Sequence, residues 1–378
     1  MTESQKRGRR VLLICDFAPG LLQNVLAPYE FMNDTEVTLV RRSRGQFRVP
    51  GNVRVVNVPL PVIGTSGKRT TSRSLALLLN TVSYLFVGSL LSTFAALRFR
   101  CNLVHARFLF PEGVVGLIVS VLTGVKLIAT AEGSDVNLYL RRRLSHAVVI
   151  LIAKRGEFIA VSKPIRAQLQ SLGVPSHYVP NSVDCSKFKF VPLDKKEKLV
   201  IFVGSLTDIK RPQFLVEAIG VIHQFVVDEA IRVEIIGDGP LKATLERRIK
   251  VLGLGDSIRL GGYLENERVR EYMGGAYAYV TCSMTEGMSV ALLEAMASGC
   301  VIIASNIPGN TAMIENGKTG LVFDGNDLTS LADMITQAFL NPLAFTIATQ
   351  NARESIESDY DTRKITLRLA ELYDYLGR

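Results

Sequence analysis

The stretch TEGMSVALLEAMASGCVIIAS, Thr285 to Ser305, together with the preceding AYAYVTCS, Ala276 to Ser283, decides how this chain is read. AYAYVTCS is rich in β-branched and aromatic residues and reads as a buried strand. VALLEAMAS is dominated by helix formers and stops at Gly299, and VIIAS reads as the next strand. In a strand, loop, helix, strand unit the loop lies at the carboxyl end of a parallel sheet. There the N–H groups of Gly287, Met288, Ser289 and Val290 open a helix and can receive phosphate oxygens, and Gly287 allows a ligand to come close to the backbone. Glu286 stands in the loop, and Glu294 lies roughly 6 Å along the helix at ~1.5 Å per residue, so one ligand can bridge both. Carboxylates accept hydrogen bonds from vicinal hydroxyls, which sugars and riboses both offer, so the arrangement suits a phosphorylated sugar.

Outward from this unit, strands and helices alternate twice along the chain. VLLICD (Val11 to Asp16), EVTLV (Glu36 to Val40), VRVVNV (Val53 to Val58), LVHA (Leu103 to Ala106), KLIAT (Lys126 to Thr130) and EFIAVS (Glu157 to Ser162) predict a first parallel sheet. KLVIFVG (Lys198 to Gly204), RVEIIG (Arg232 to Gly237), SIRLGG (Ser257 to Gly262), YAYVTCS (Tyr277 to Ser283), VIIAS (Val301 to Ser305) and GLVF (Gly320 to Phe323) predict a second. The expected fold is α/β, with two Rossmann-like domains facing each other across a cleft and ligands at the carboxyl ends of the strands. A length of 378 residues is ample for two cores.

Five cysteines, Cys15, Cys101, Cys185, Cys282 and Cys300, are odd in number, widely spaced and mostly within apolar runs, which points to reduced thiols in a cytosolic setting. No Cys/His cluster has zinc spacing. The start of the chain does not read as a secretory signal, because VLLIC is short and runs directly into DFAPG.

Charge is uneven. Residues 1–185 hold 23 Lys and Arg against 10 Asp and Glu, and residues 186–378 hold 21 against 25. A basic first half implies an anionic partner, either a membrane surface or a phosphorylated acceptor. Nucleic acid is disfavoured, because the clusters KRGRR (Lys6 to Arg10), RRSR (Arg41 to Arg44), Lys68 to Arg73 and RRR (Arg141 to Arg143) are not interleaved with stacking aromatics. Between them, Ser74 to Leu97 carries no charge and is long enough for a bilayer at ~20 residues per span. Three readings stand for it: a span, a buried domain helix, or a helix docked on a membrane surface with help from Arg73, Arg98 and Arg100.

Glu286, seven residues, Glu294 and the following AMASGCVIIAS resemble the signature of retaining glycosyltransferase family 4. VPNSVDCSKF (Val179 to Phe188) resembles its interdomain segment, IFVGSLTDIKRPQFLVEAI (Ile201 to Ile219) its phosphate-binding strand and helix, and VEIIGDGPLKATLE (Val233 to Glu246) its next strand and turn. HARFLFPEGVVG and TAEGSDVN (His105 to Gly116, Thr130 to Asn137) resemble its acceptor-side domain. The resemblance implies the GT-B fold: an acceptor-binding domain over 1–182, a nucleotide-sugar domain over 183–358, and a helix over 359–378 crossing back to the first domain.

It also implies roles. Lys210 would pair with the donor pyrophosphate, Glu286 would hold the transferred sugar and Glu294 the ribose. Read without the resemblance, Lys210 is a solvated lysine and Glu294 a solvent-facing helix residue. Gly204 and Ser205 end the phosphate strand, with Ser205 standing where the family often has Arg. Gly237, Asp238, Gly239 and Pro240 would turn near the nucleotide, although GDGP alone also reads as an ordinary turn. Gly262 and Tyr263 lie where similar enzymes hold the base.

On the acceptor side, Gly20 is the glycine available for close approach, where many relatives carry a pair. Glu132 replaces the family's common His and would either orient an acceptor hydroxyl or pair with a nearby arginine. His105 is a cleft residue or a structural one, and Asp135 a cap or a hydroxyl ligand. Asp359 and Asp361 read as helix caps.

The expected activity is hexosyl transfer from a UDP- or GDP-sugar, with retention and without a metal or other cofactor. The acceptor would be a hydroxyl of a lipid-linked or glycan substrate of envelope polysaccharide or glycolipid synthesis, and the enzyme cytoplasmic and peripheral on the inner face of the cell membrane. A noncatalytic partner subunit and a sugar-nucleotide epimerase are the alternatives.

Overall fold

The computed structural model describes residues 8–42, 47–60, 71–133, 135–136 and 143–377. The basic residues at 6, 7, 44, 68, 69, 141 and 142 lie outside them. The chain forms two compact units, Met1–Asn181 with Thr362–Arg378, and Ser182–Asp361. The first contains β1 (Arg9–Ile14), α1 (Pro19–Glu30), β2 (Thr35–Arg42), β3 (Val53–Val58), α2 (Thr71–Arg98), β4 (Leu103–Arg107), α3 (Glu112–Thr123), β5 (Lys126–Ala131), α4 (Arg143–Ala153), β6 (Gly156–Ala160), α5 (Lys163–Ser171) and β7 (His177–Tyr178). The second contains β8 (Glu197–Val203), α6 (Pro212–Val221), α7 (His223–Asp228), β9 (Arg232–Ile236), α8 (Lys242–Val251), β10 (Ile258–Gly262), α9 (Asn266–Gly275), β11 (Ala276–Thr281), α10 (Val290–Ala297), β12 (Val301–Ser305), α11 (Pro308–Thr311), β13 (Leu321–Phe323), α12 (Leu328–Leu340) and α13 (Pro342–Asp359). The last helix, α14 (Thr362–Gly377), belongs to the first unit.

Each unit is one parallel sheet. The orders are β3-β2-β1-β4-β5-β6-β7 and β10-β9-β8-β11-β12-β13. Central strands such as β11 and β12 are buried along their whole length, which is why they read as continuous apolar runs rather than alternating ones. The two-residue β7 was not among the predicted strands, because it is too short to show a period. In both sheets the strand order reverses at the first strand, between β1 and β4 and between β8 and β11. Loops at the carboxyl ends of these pairs diverge and leave room for a ligand.

In the first unit α14 packs on α1, β1 and β4, while α2, α3 and α4 form the layer on the other face. Right-handed crossovers require this split, since β1 to β2 and β3 to β4 run in opposite directions across the sheet. Ile365, Leu369, Leu372 and Tyr373 of α14 join Leu13, Leu22, Tyr29 and Ile128 in one apolar cluster, so the core of this unit is assembled from both ends of the chain. All five cysteines are unpaired thiols, and four of them are buried.

Glu112 opens α3 and is 3% exposed, and its Oε2 has no hydrogen-bond partner among the described residues. Burial pushes its carboxyl up to about 8; its own N–H pulls it down, the charge of Asp16 pushes it up and Arg42 pulls it down. The folded state therefore holds a proton that the unfolded chain, with a carboxyl near ~4.3, has released. The resulting stability is complete below about pH 4 and is lost as pH rises through about 8. Glu112→Gln should remove this dependence. In thermal unfolding from pH 5 to 9, the wild-type midpoint should fall relative to the variant's as pH rises, whereas parallel curves would refute the assignment.

Candidate functional site

In the second unit the loops beyond β8, β9 and β10 are joined by their backbones. Gly204 N–H donates to the Ile236 carbonyl at 3.0 Å, Leu206 N–H to Asp238 at 2.9 Å and Gly237 N–H to Gly262 at 2.7 Å. This closeness explains the glycines of GDGP. At Gly237 (φ +144°) a Cβ would lie 1.8 Å from the Gly204 oxygen, and at Gly239 (φ +158°) 2.5 Å from the Leu206 oxygen. Ser205 is exposed on this rim, and Tyr263, just beyond β10, is 53% exposed.

Past Leu206 the chain turns back. Arg211 N–H donates to the Thr207 carbonyl at 3.0 Å, and Arg211 itself is left-handed (φ +52°) with its guanidinium 4.1 Å from the centre of the Phe214 ring. Pro212 then starts α6. The Met284 N–H donates to the Ile209 carbonyl at 2.8 Å, which ties this loop to the one after β11. As a result the Lys210 ammonium forms an ion pair with Glu286 Oε1, and Ser283 Oγ donates to the same oxygen at 2.7 Å. Ser305 Oγ donates to the Ser283 carbonyl at 2.7 Å, and Gly309 lies so close that a Cβ there would be 2.5 Å from the Glu286 backbone carbonyl oxygen.

Ser289 caps α10 by accepting the Leu292 N–H at 3.3 Å. Glu294, one turn on, is 6% exposed and therefore not a solvent-facing helix residue. Tyr279 of β11 lies near both carboxylates. Burial pushes its phenol far up, and the charges of Glu286 and Glu294 add to this against a hydrogen bond with Ser289. The far end of α10 is held by Arg353 of α13, which donates to the carbonyls of Ala297 and Phe188, each at 2.6 Å. Arg353 and Arg211 escaped the sequence reading because arginines within helices or at their starts look like solvated residues until their partners are known.

Lys210, Glu286, Glu294 and the N–H groups of Gly287 to Val290 are thus gathered at the strand-order reversal, with Gly204, Ser205, Gly237 and Gly239 along the rim. A cavity of about 580 Å³ in the same unit lies at the opposite, amino end of β8–β10. It is lined by the ion pairs Arg232–Glu197 and Arg259–Glu234 and lacks the loops that phosphate chemistry needs.

In the first unit Gly20 sits in the first turn of α1, beyond β1. Glu132 pairs with Arg107, which also donates to Asn181 Oδ1 at 3.2 Å. Of the two readings of Glu132, the ion pair is the one formed. Arg107 was missed, although HAR and TAE end adjacent strands that pair Arg107 with Thr130. His105 does not fit the acceptor-side expectation. It is 1% exposed, with Nδ1 2.6 Å from the Tyr373 hydroxyl and Nε2 2.6 Å from Thr130 Oγ1. Burial, with the charge of Arg107, lowers its pKa well below the usual range and keeps it neutral.

For Asp135 the structure shows the cap. It is 2% exposed and accepts N–H bonds from Leu109 (3.0 Å), Glu132 (3.1 Å), Gly133 (2.8 Å) and Val136 (3.0 Å), so it shapes the turn that carries Glu132. Burial pushes its carboxyl up to about 6 against the pull of these N–H groups.

Two doubly wound parallel sheets, with the loops of the second joined at its strand-order reversal, have the architecture of a glycosyltransferase of the GT-B type. Residues 5–187 match the family described as Glycosyltransferase Family 4, and residues 186–355 that described as Glycosyl transferases group 1; the chain belongs to glycosyltransferase family 4. It is 23% identical over 295 residues to N-acetyl-alpha-D-glucosaminyl L-malate synthase of Bacillus anthracis, covering 74% of this chain and 76% of the relative. It is 25% identical over 296 residues to the putative teichuronic acid biosynthesis glycosyltransferase TuaC of Bacillus subtilis, covering 72% and 70%. Its fold matches Anabaena HepE in complex with UDP-glucose with a TM-score of 0.76 at 17% identity, over 97% of this chain and 99% of that one.

Two substitutions test these positions. Gly237→Ala should destabilise the protein and abolish nucleotide response, because the Gly204 carbonyl has to move; unchanged urea unfolding would contradict the packing. Arg107→Met should cost about 3–5 kcal/mol by leaving Glu132 buried and unpaired, and adding Glu132→Gln should restore much of it. Additive losses in the double variant would show that the two do not act as a pair.

Proposed function

We propose that the protein transfers a hexose from a UDP- or GDP-sugar to a hydroxyl of a membrane-associated or polysaccharide acceptor, with retention at the anomeric carbon, in envelope polysaccharide or glycolipid synthesis. The observation that carries this reading is the Lys210–Glu286 pair beside the start of α10, with Glu294 buried one turn further on. In the free enzyme Lys210 is neutralised by Glu286. When a pyrophosphate arrives, the ammonium turns to it, while Ser283 continues to hold Glu286 in place for the hydroxyls of the sugar. Glu294 accepts from the ribose hydroxyls, the N–H groups of Gly287 to Val290 receive phosphate oxygens, and Tyr263 flanks the base. HepE, whose fold this chain shares, is described with UDP-glucose, and TuaC is described as acting in teichuronic acid synthesis.

The reaction is front-side displacement. The bond between the anomeric carbon and the phosphate oxygen breaks, the acceptor oxygen bonds to that carbon on the same face, and the acceptor proton passes to the departing phosphate. Lys210 and the start of α10 stabilise the charge that develops on this leaving group, so neither a protein nucleophile nor a metal is required. With Ser205 in the phosphate loop, the pyrophosphate meets one fewer cation than in relatives with Arg there, which makes the helix start the larger contributor. The enzyme would work at the cytoplasmic face of the cell membrane.

The test is thermal unfolding with a panel of nucleoside diphosphates and their sugars. At ligand far above Kd, one base should raise the wild-type midpoint on the order of 5 °C. Glu294→Ala should weaken the response to that nucleotide, and Glu286→Gln should bind it but fail to transfer sugar. A wild-type protein that responds to no nucleotide would overturn the assignment.

A further inference from the structure

We propose that α2 lies in the interface of an anionic lipid bilayer, with its axis in the membrane plane and its outward stripe inserted beneath the headgroups. This rests on the reading of a membrane-associated acceptor and assigns the surface that meets the membrane. Leu78, Val82, Phe86, Leu90, Phe94 and Leu97 recur at every fourth position, and finally the third, and are 54–74% exposed. Only 22% of the apolar stretch of this helix is buried, so it is not a wholly buried domain helix. The stripe is about 28 Å long at ~1.5 Å per residue, and its aliphatic and aromatic side chains offer no hydrogen bonds by which a protein partner would be specified. The same helical layer continues it, with Val121 and Leu122 of α3 and Leu151 of α4 each more than half exposed.

The other side of α2 excludes a transmembrane span. Tyr84, Ser89 and Ser92 are buried against the sheet. Asn80 accepts a hydrogen bond from Arg42 at 2.9 Å, the Arg42 guanidinium lies 4.7 Å from the centre of the Tyr84 ring, and Arg42 is in turn paired with Asp16. Drawing the helix into a bilayer would strip the part-buried Arg42 of these partners.

Charge near the stripe is mostly positive. Among the described side chains from 76 to 157 the cations are Arg98, Arg100, Arg107, Lys126, Lys154 and Arg155. Of the acids there, Glu112 and Asp135 are buried, Glu132 is neutralised by Arg107, and Glu157 lies beside His177. Arg54, Arg98 and Arg100 are exposed around Phe99 at the end of α2, and Lys126, Lys154 and Arg155 are exposed at the same end of the layer. An apolar face bordered by cations at one end fits a surface of anionic headgroups over acyl chains.

The experiment is flotation of the full chain with vesicles of phosphatidylglycerol and phosphatidylcholine, or of phosphatidylcholine alone. Wild type should float with the anionic vesicles. The triple variant Phe86→Ser, Leu90→Ser, Phe94→Ser should bind at least about tenfold more weakly, and Arg98→Glu with Arg100→Glu should lose the preference for anionic lipid. Both should keep the wild-type melting midpoint and nucleoside diphosphate response, because the altered side chains are exposed and lie in the first unit. Wild type that fails to float, or a triple variant that floats equally well, would overturn the proposal. So would resistance to alkaline carbonate extraction, which marks a span, or a lipid-free dimer made monomeric by the triple variant, which marks a second copy on the stripe. Flotation without nucleotide response would overturn the donor reading alone.

Discussion

One backbone hydrogen bond, from the Met284 N–H to the Ile209 carbonyl at 2.8 Å, joins the two loops that carry Lys210 and Glu286. Those loops leave the carboxyl ends of β8 and β11, adjacent strands whose crossovers run in opposite directions, so nothing in the sheet itself keeps them together. The bond sets the spacing, and the Lys210–Glu286 ion pair forms within it. Around this point each neighbour is placed by a contact that tolerates little change. Gly309 presses on the backbone at Glu286, Gly237 on that at Gly204, and Arg353 holds the far end of α10. A binding site carried on loops is made firm by backbone contacts where side-chain packing is sparse.

The first unit uses buried polar groups in the same role. His105, Tyr373 and Tyr29 form a hydrogen-bonded chain that links β4 to α14 and α1, so the last helix is held by polar contacts as well as by its apolar stripe. Asp135 gathers N–H groups into the turn carrying Glu132, whose charge is neutralised by Arg107. Such groups are stable in an interior only when their partners are present, so they fix the turn geometry tightly and at some expense in desolvation. On the outer layer α2 divides its faces, with polar and small side chains toward the sheet and large apolar ones outward.

The parallel sheets were legible from residue order, because strands buried on both faces are written as apolar runs, and all twelve predicted strands are present with ends shifted by a few residues. The loop and helix start at Glu286 to Glu294 were legible for the same local reason. Lys210 could be matched to that loop only through the family resemblance, since 76 residues separate it from Glu286. His105 and Asp135 stayed open between a ligand and a structural role because a polar residue at or beyond a strand end has the same local signature whether it faces a substrate or a core. Arg211 and Arg353 carried no signal at all.

The sequence by itself determined the strand and helix periods, the two successive α/β units with parallel sheets, and the residue types available for phosphate and hydroxyl binding, because these depend on near neighbours. Tertiary structure alone decided which charges are paired, which polar groups are buried, and that helix α2, uncharged from Ser74 to Leu97, buries its polar side and exposes its apolar one. Those outcomes depend on residues brought together from distant parts of the chain, and the dielectric and desolvation terms that govern them exist only once the fold has closed around them.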